Sequence, residues 1–193
     1  MKKLFYVIIG VVAVAMIVNF LNPSVNKVTD LPFISLTEVF NRSEGDYAVY
    51  FYQDTCSICK EFEPILIDEV TQQKTPVYVV DMKRPDNTTA WYDWEAHHEK
   101  YDIVIGKVLG NGEILNEGES RDDYPSEDGW VIKTEGDDVI ATNNKAMNNK
   151  NPQSAEELEI AGTPTLIRII DGKVVAYGEG IDENSAILEK MAK

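Results

Sequence analysis

Apolar residues along the chain fall into continuous runs and helically spaced sets, which predict strands and helices respectively. The continuous run at 48–52 predicts a buried strand. The segment 60–70 after it predicts a helix. Its apolar side chains are spaced so that they share one face: Phe62, Ile65, Leu66 and Val70. This part of the chain therefore has the order strand, then helix.

The C-terminal part of the chain predicts a hairpin. Two runs of β-forming residues, at 166–170 and 174–177, flank the turn-forming pair Asp171-Gly172. The hairpin would place two antiparallel strands near the end of the chain.

The region between these two parts predicts two helices and two hairpins. A helix is predicted at 88–101, and a short helix at 154–161 begins with the capping box Ser154-Ala155-Glu156-Glu157. Each hairpin consists of two β-rich runs around a glycine-containing turn. The paired runs are 103–105 with 113–115, and 130–132 with 139–141. The side chains that the first helix would place at helical spacing are Trp91, Trp94, His98 and Tyr101.

The same region carries most of the negative charge of the chain. Residues 83–159 contain eight Lys or Arg and eighteen Asp or Glu, a net charge of −10 out of −15 for all 193 residues. This balance argues against binding to nucleic acid and to anionic membrane surfaces. Two interpretations remain open: a solvated excursion that keeps the domain soluble, or a docking region for a substrate or partner.

The only two cysteines, Cys56 and Cys59, lie between the first predicted strand and the helix after it. A sulfur at a helix N-terminus is stabilised as a thiolate by the unpaired N–H groups there, and a second sulfur one turn on can close a disulfide with it. This placement suits thiol–disulfide exchange. Two alternatives are a zinc site, for which further ligands are missing, and a structural disulfide, which would constrain little chain. No cofactor or metal is expected.

The motif Thr55-Cys56-Ser57-Ile58-Cys59-Lys60 resembles the active site of the thioredoxin family. Pro64 matches the proline within that family's active-site helix, and Gly162-Thr163-Pro164-Thr165 resembles its cis-proline loop. The likeness covers 31–81 and 155–193. It implies an opening strand and helix at 33–40, a second strand at 76–82 and a closing helix at 181–191. It implies an α/β, thioredoxin-like fold over 31–193, in which a central mixed sheet is flanked by helices. The β-rich acidic region, at about 84–153, would be an insertion before the cis-proline.

The resemblance implies a role for each site residue. Cys56 would attack a substrate disulfide, and Cys59 would then resolve the mixed disulfide by forming the Cys56–Cys59 disulfide. A cis Pro164 would turn the Thr163 backbone toward the cysteines, where an extended substrate could pair with it.

Four residues depart from the usual pattern of the family. Thr55, Ser57 and Ile58 replace its tryptophan, glycine and proline around the first cysteine, and these three would tune the redox potential. Tyr50 occupies the place of a buried aspartate that thioredoxins use in proton transfer.

The N-terminal residues predict a membrane anchor. Residues 4–21 carry no charge, and this stretch is just long enough to span a bilayer. Lys2 and Lys3 precede it. The prediction is a single-pass transmembrane helix at 1–22 and a tether at 23–30, with the N-terminus cytoplasmic and the domain extracytoplasmic. A signal peptide cleaved after Ala13-Val14-Ala15 is the alternative.

The predicted function is therefore thiol–disulfide exchange with protein dithiols or disulfides outside the cytoplasm. The layout is similar to that of membrane-anchored thioredoxin-like proteins of Gram-positive bacteria, including bacteriocin transport accessory proteins. The alternative function is a redox-inactive thioredoxin-fold module that binds a secreted partner. Electron flow in either direction, reductase or oxidase/isomerase, is compatible with the sequence.

Overall fold

The computed structural model describes residues 25–72, 75–110 and 112–192. The chain divides into two compact units. The first comprises Met1–Thr88, Asn151–Ala155 and Thr163–Lys193, and the second comprises Thr89–Lys150 and Glu156–Gly162. The predicted transmembrane helix at 1–22 and the start of the tether lie outside the described residues. Within the described residues, every helix is too short or too polar to cross a bilayer.

The described part of the chain contains eight strands and three α-helices. In chain order they are β1 (Asp46–Tyr52), α1 (Ser57–Gln72), β2 (Val77–Asp81), α2 (Trp94–Tyr101), β3 (Ile103–Leu109), β4 (Gly112–Leu115), β5 (Trp130–Glu135), β6 (Asp138–Asn143), β7 (Thr165–Ile170), β8 (Lys173–Glu179) and α3 (Gly180–Met191).

The first unit is built on a mixed four-stranded sheet with the strand order β2-β1-β7-β8. β1 runs parallel to β2 and antiparallel to β7, and β7 and β8 form the hairpin predicted around Asp171-Gly172. β1 is central and buried on both faces, as its continuous apolar run predicts. In its register, Tyr50 pairs with Val79 on one side and Leu166 on the other.

Helices α1 and α3 contribute to the core of this unit. Cys59, Phe62 and Leu66 of α1 are fully buried, and Pro64 lies inside the helix. The prediction that Ile65 shares the buried face is wrong, because the buried arc follows positions 59, 62 and 66 and leaves Ile65 37% exposed. The α3 side chains in the same core are Ile187, Leu188 and Met191.

The opening strand and helix expected at 33–40 are not formed. Phe33 makes a single parallel bridge to Val79, and only Leu36–Glu38 forms a 3-10 turn. The Glu38 carboxylate accepts hydrogen bonds from the N–H and the hydroxyl of Ser35, so the local polar contacts close one tight turn instead of a longer helix. Val28 and Leu31, which precede this segment, are buried in the core.

The second unit contains an antiparallel sheet with the strand order β4-β3-β6-β5. The two predicted hairpins form its outer pairs, β3 with β4 and β5 with β6. Its small core consists of Ile105, Val139 and Ala141, and the half-buried apolar residues around it include Tyr124 and Trp130.

Two helix predictions in this region are partly wrong. The helix predicted at 88–101 begins only at Trp94, because the Asp93 side chain caps it by accepting from the Ala96 N–H. Residues Pro85–Ala90 form a 3-10 helix instead. As a result His97, rather than His98, is the buried histidine of α2. The helix predicted at 154–161 is reduced to the 3-10 turn Ala155–Glu157.

Candidate active site

The two cysteines lie where the central strand of the first unit meets its first helix. β1 ends at Tyr52, α1 begins at Ser57, and Cys56 is the residue immediately before the helix. Cys56 is half-buried, whereas Cys59, one turn into the helix, is completely buried. The Cys56 sulfur is therefore the one that an incoming disulfide can reach.

The Cys56 sulfur has two hydrogen-bond partners, one on each side. The Cys59 backbone N–H donates to it at 3.1 Å, and this N–H belongs to the unpaired set at the start of the helix. On the other side the Cys56 thiol donates to the Thr163 carbonyl oxygen at 3.2 Å. Both contacts hold the sulfur at a fixed position above the first turn of α1.

This environment lowers the pKa of the Cys56 thiol. Partial burial acts in the opposite direction and raises the pKa, but several hydrogen bonds outweigh it. They come from the Cys59 thiol, Thr163, and the backbone N–H groups of Cys59 and Ile58. Cys56 therefore forms a thiolate more readily than an ordinary cysteine, which is the property of an attacking nucleophile.

Cys59 has the opposite character. Burial, and after it the neighbouring Cys56 as a hydrogen-bond partner and as a charge, together raise the pKa of its thiol to about 11. Cys59 thus stays protonated while Cys56 ionises. The structure contains both residues as free thiols. The Cys56–Cys59 disulfide itself stays a prediction.

The Thr163–Pro164 peptide bond is cis, as predicted. Pro164 comes directly before β7, which is paired with β1, and this strand pairing brings the loop to the cysteines. The Thr163 carbonyl accepts from the Cys56 thiol, and the Thr163 hydroxyl lies 3.5 Å from the Gln53 side chain. The structure therefore joins the two motifs, 107 residues apart in sequence, in one site.

Sequence reasoning missed the residue that fixes this loop. Asn184 of α3 is fully buried; its amide nitrogen donates to the Pro164 carbonyl and its amide oxygen accepts from the Leu166 N–H, each at 3.1 Å. An asparagine inside a helix has no sequence signal that distinguishes such a role. Its burial in the structure is the observation that identifies it.

The three predicted tuning residues surround Cys56 but point outward. Thr55 and Ser57 are exposed, and the Ile58 side chain is 45% exposed beside the sulfur. Of the three, Ile58 contributes to the lowered pKa of Cys56, and it does so through its backbone N–H. The proposed effect of these side chains on redox potential stays a prediction.

Tyr50 lies beneath the cysteine pair and is completely buried. Burial raises the pKa of its hydroxyl far above the ordinary value, and Cys59 and then Cys56 raise it further. Its ring packs against Phe62 and Tyr52, with centroid distances of 5.7 and 6.0 Å. Tyr50 stays protonated at all physiological pH values, so it cannot act as the base that an aspartate would be there.

Among the residues that the structure describes, His, Cys, Asp and Glu side chains form no group of three or more that could hold a metal ion. The chemistry that the geometry provides is that of two thiols of unequal acidity beside a backbone carbonyl.

These features together define a thioredoxin-like fold. The sheet has one parallel pair and one antiparallel hairpin around a central strand, the cysteine pair begins the helix after that strand, and a cis-proline enters the hairpin. The first unit of the chain has this arrangement, and the antiparallel sheet of the second unit is formed by the sequence that separates the two motifs.

Comparison with known proteins gives matches only among solved structures. The chain is similar to a mutant thioredoxin from Halobacterium salinarum NRC-1, at 16% identity and a TM-score of 0.39 over 84% of this chain and 88% of that one. It is similar to oxidised mitochondrial thioredoxin 3 from Saccharomyces cerevisiae, at 14% identity and a TM-score of 0.40 over 84% of this chain and 92% of that one. It is also similar to thioredoxin f2 from Chlamydomonas reinhardtii, at 12% identity and a TM-score of 0.40 over 81% of this chain and 90% of that one. No family model and no curated protein sequence matches the chain.

Proposed function

We propose that the protein is a thiol–disulfide oxidoreductase that works through Cys56 and Cys59. The observation that carries the proposal is the inequality of the two thiols. Cys56 is accessible and has a lowered pKa, whereas Cys59 is buried and has a pKa raised to about 11. A structural pair would not need one sulfur to be prepared for attack and the other to be withheld.

The reaction would follow in two steps. The Cys56 thiolate attacks a substrate disulfide and forms a mixed disulfide, and one substrate sulfur leaves. Cys59 then attacks the Cys56 sulfur, which closes the Cys56–Cys59 disulfide and releases the reduced substrate. An oxidase would run these steps in reverse. An extended substrate could pair with the Thr163 backbone beside the sulfur.

The test is to trap the mixed disulfide. With insulin as a disulfide substrate, Cys59→Ser is expected to accumulate a covalent adduct through Cys56, because no second thiol can resolve it. Cys56→Ser is the matched control and is expected to trap nothing. The wild-type protein should reduce insulin with dithiothreitol as reductant. Absence of adduct and of turnover would favour the alternative, a redox-inactive module that binds a partner.

We also propose that residues 1–22 anchor the protein in the cell membrane, with the domain outside the cytoplasm, where its substrates would be protein dithiols or disulfides. The uncharged stretch at 4–21 behind Lys2 and Lys3 supports this, as does the similar layout of membrane-anchored thioredoxin-like proteins. Protease added to intact cells should then remove the domain, and a mild wash should not release it. A mature chain free in the medium that starts near residue 16 would contradict the anchor.

A further inference from the structure

The hydroxyl of Tyr50 is buried without a hydrogen-bond partner among the residues that the structure describes. A buried hydroxyl that makes no hydrogen bond destabilises the folded protein, because it loses its bonds to water and gains none. Tyr47, on the same strand and equally buried, shows the usual solution: its hydroxyl donates to the Val39 carbonyl at 2.8 Å. A phenylalanine at position 50 would fill the same space without this penalty.

The surroundings of the Tyr50 hydroxyl indicate what it is kept for. The Tyr50 ring packs against Phe62 at a centroid distance of 5.7 Å, and Phe62 follows Cys59 by one turn on the buried side of α1. After burial, Cys59 has the largest effect on the pKa of Tyr50, which agrees with this placement. The hydroxyl therefore lies near the sulfur that must ionise in the second step of the proposed reaction, although it makes no hydrogen bond while that sulfur is a thiol.

Cys59 needs a stabilising partner at that moment. Its burial opposes ionisation, and it has to become a thiolate before it can attack the mixed disulfide on Cys56. Once Cys56 is bonded to a substrate sulfur, the Cys56 thiolate can no longer accept a hydrogen bond from Cys59. A neutral O–H group at hand can then donate to the new charge.

We propose that Tyr50 is a positioning residue for the resolving step, in which its hydroxyl donates a hydrogen bond to the Cys59 thiolate as that thiolate forms. The proposal rests on the proposed oxidoreductase function and adds a residue to it. Tyr50 keeps its own proton throughout, since burial holds its pKa far above neutral. It acts as a fixed dipole that favours the ionised sulfur, not as a base.

The Cys59 thiol loses its proton to water, and the resulting thiolate attacks the Cys56 sulfur. The bond between Cys56 and the substrate sulfur breaks as the Cys56–Cys59 bond forms. The substrate sulfur leaves as a thiolate and takes up a proton from water. Two electrons pass from the protein dithiol to the substrate disulfide over both steps.

The experiment uses the full-length reduced protein in detergent with one equivalent of 5,5′-dithiobis(2-nitrobenzoic acid). Attack by Cys56 releases the first coloured thiolate, and resolution by Cys59 releases the second, so stopped-flow absorbance separates the two steps. In Tyr50→Phe the second phase should slow about tenfold or more, the size expected for one hydrogen bond to a charged group. The first phase should stay within about twofold, because Cys56 keeps its own partners.

The pH profile distinguishes this role from a structural one. In Tyr50→Phe the inflection of the second phase should move upward by about one pH unit, because the Cys59 thiolate loses a stabilising donor. The melting temperature should be equal to or higher than that of the wild type, since the unpaired hydroxyl is gone. Tyr47→Phe is the control: it should melt at a lower temperature and leave both phases unchanged.

An unchanged second phase in Tyr50→Phe, against a biphasic wild type, would overturn the role of Tyr50 and leave the oxidoreductase function intact. Equal slowing of both phases would also overturn it, because it would indicate a general distortion of the site. A wild-type protein that releases no second thiolate would instead refute the oxidoreductase function, and with it this inference.

Discussion

The difference in acidity between the Cys56 and Cys59 thiols can be measured directly by alkylation. The perturbation is pH, applied to the reduced single-cysteine variants Cys59→Ser and Cys56→Ser. Iodoacetamide reacts with the thiolate, so the rate constant of each variant follows the ionised fraction of its remaining cysteine. We expect Cys56 to react much faster at pH 7, with an inflection below that of an ordinary thiol.

The magnitude follows from the raised pKa of Cys59 and the lowered pKa of Cys56. A thiol with a pKa of about 11 is ionised to about one part in 10⁴ at pH 7. A cysteine at the ordinary value of 9.0, from which the pKa of Cys56 is lowered, is ionised to about 1%. The ionised fraction of Cys56 therefore exceeds that of Cys59 by more than about 100-fold. The more basic thiolate is intrinsically the better nucleophile, which offsets about one order of magnitude of this ratio. The net preference for Cys56 is therefore more than about tenfold, and the burial of Cys59 adds to it.

The assay is the loss of free thiol with time, followed by mass spectrometry between pH 5 and 11. Removing Cys56 also removes one of the influences that raise the pKa of Cys59, but burial, the larger cause, remains in the Cys56→Ser variant. The Cys59→Ser variant exchanges the Cys59 thiol for a hydroxyl, which can donate to the Cys56 thiolate in its place, and it keeps Thr163 and the backbone N–H groups at positions 58 and 59. Equal rates for the two variants at pH 7 would refute the reasoning. So would an inflection for Cys56 at or above the ordinary value of 9.0.

Three further predictions concern stability. Asn184→Ala should lower the free energy of unfolding by about 1–3 kcal/mol in urea titrations, because it removes the partner of the buried Leu166 N–H and one of two donors to the Pro164 carbonyl, which keeps the Gly180 N–H. A loss below about 0.5 kcal/mol would contradict this. Gly106→Ala should disrupt the β3–β4 pairing, since a Cβ would lie 2.5 Å from the Ile114 carbonyl oxygen. Amide hydrogen exchange in β3 and β4 should become faster, and unchanged protection of these strands would refute the prediction. Asp46 makes a two-point ion pair with Arg168, and this pair lowers the pKa of the Asp46 carboxyl. The ion pair therefore stabilises the fold above about pH 4, and this stabilisation is lost as the pH falls through the lowered pKa. Asp46→Asn should therefore cost about 1 kcal/mol at pH 7, since the carboxylate is partly exposed, and progressively less in acid; a pH-independent difference would contradict the assignment.

The elements that the sequence predicted correctly are those whose signal is strong and local. β1 is a continuous apolar run, and its burial on both faces follows from that pattern. The β7–β8 hairpin is specified by Asp171-Gly172, and both residues have the positive φ angles that such a turn requires. In each case the residues that determine the structure are neighbours in sequence.

The predictions that failed depended on where a helix begins. The aromatic spacing at 88–101 is compatible with a helix over the whole segment, but Asp93 caps it at Trp94. The opening strand and helix at 33–40 were expected from the family resemblance, yet the hydrogen bonds of Ser35 with Glu38 close a single 3-10 turn. A polar side chain that bonds to the backbone a few residues away decides such boundaries, and hydrophobic periodicity does not register it.

The site divides in the same way. Cys56, Cys59 and Pro164 are visible in the sequence, because their motifs are short and each serves a recognisable chemistry. The Thr163 carbonyl that accepts from Cys56 and the Asn184 amide that holds the Pro164 loop are contacts between distant parts of the chain. No spacing rule predicts them, since strand pairing and helix packing create them only in the folded state.

Tyr50 shows why burial has to be considered together with hydrogen bonding. In the sequence it stands in the place of the buried aspartate of the thioredoxin family, as an aromatic residue within a β-forming run. The structure gives it two properties that conflict: complete burial and, among the described residues, a hydroxyl without a partner. Stability alone would favour phenylalanine at this position. An unpaired tyrosine hydroxyl near Cys59 is better explained if its acceptor is the Cys59 thiolate, which exists only during the reaction. The resting structure then contains the hydrogen-bond donor, but its acceptor has not yet formed.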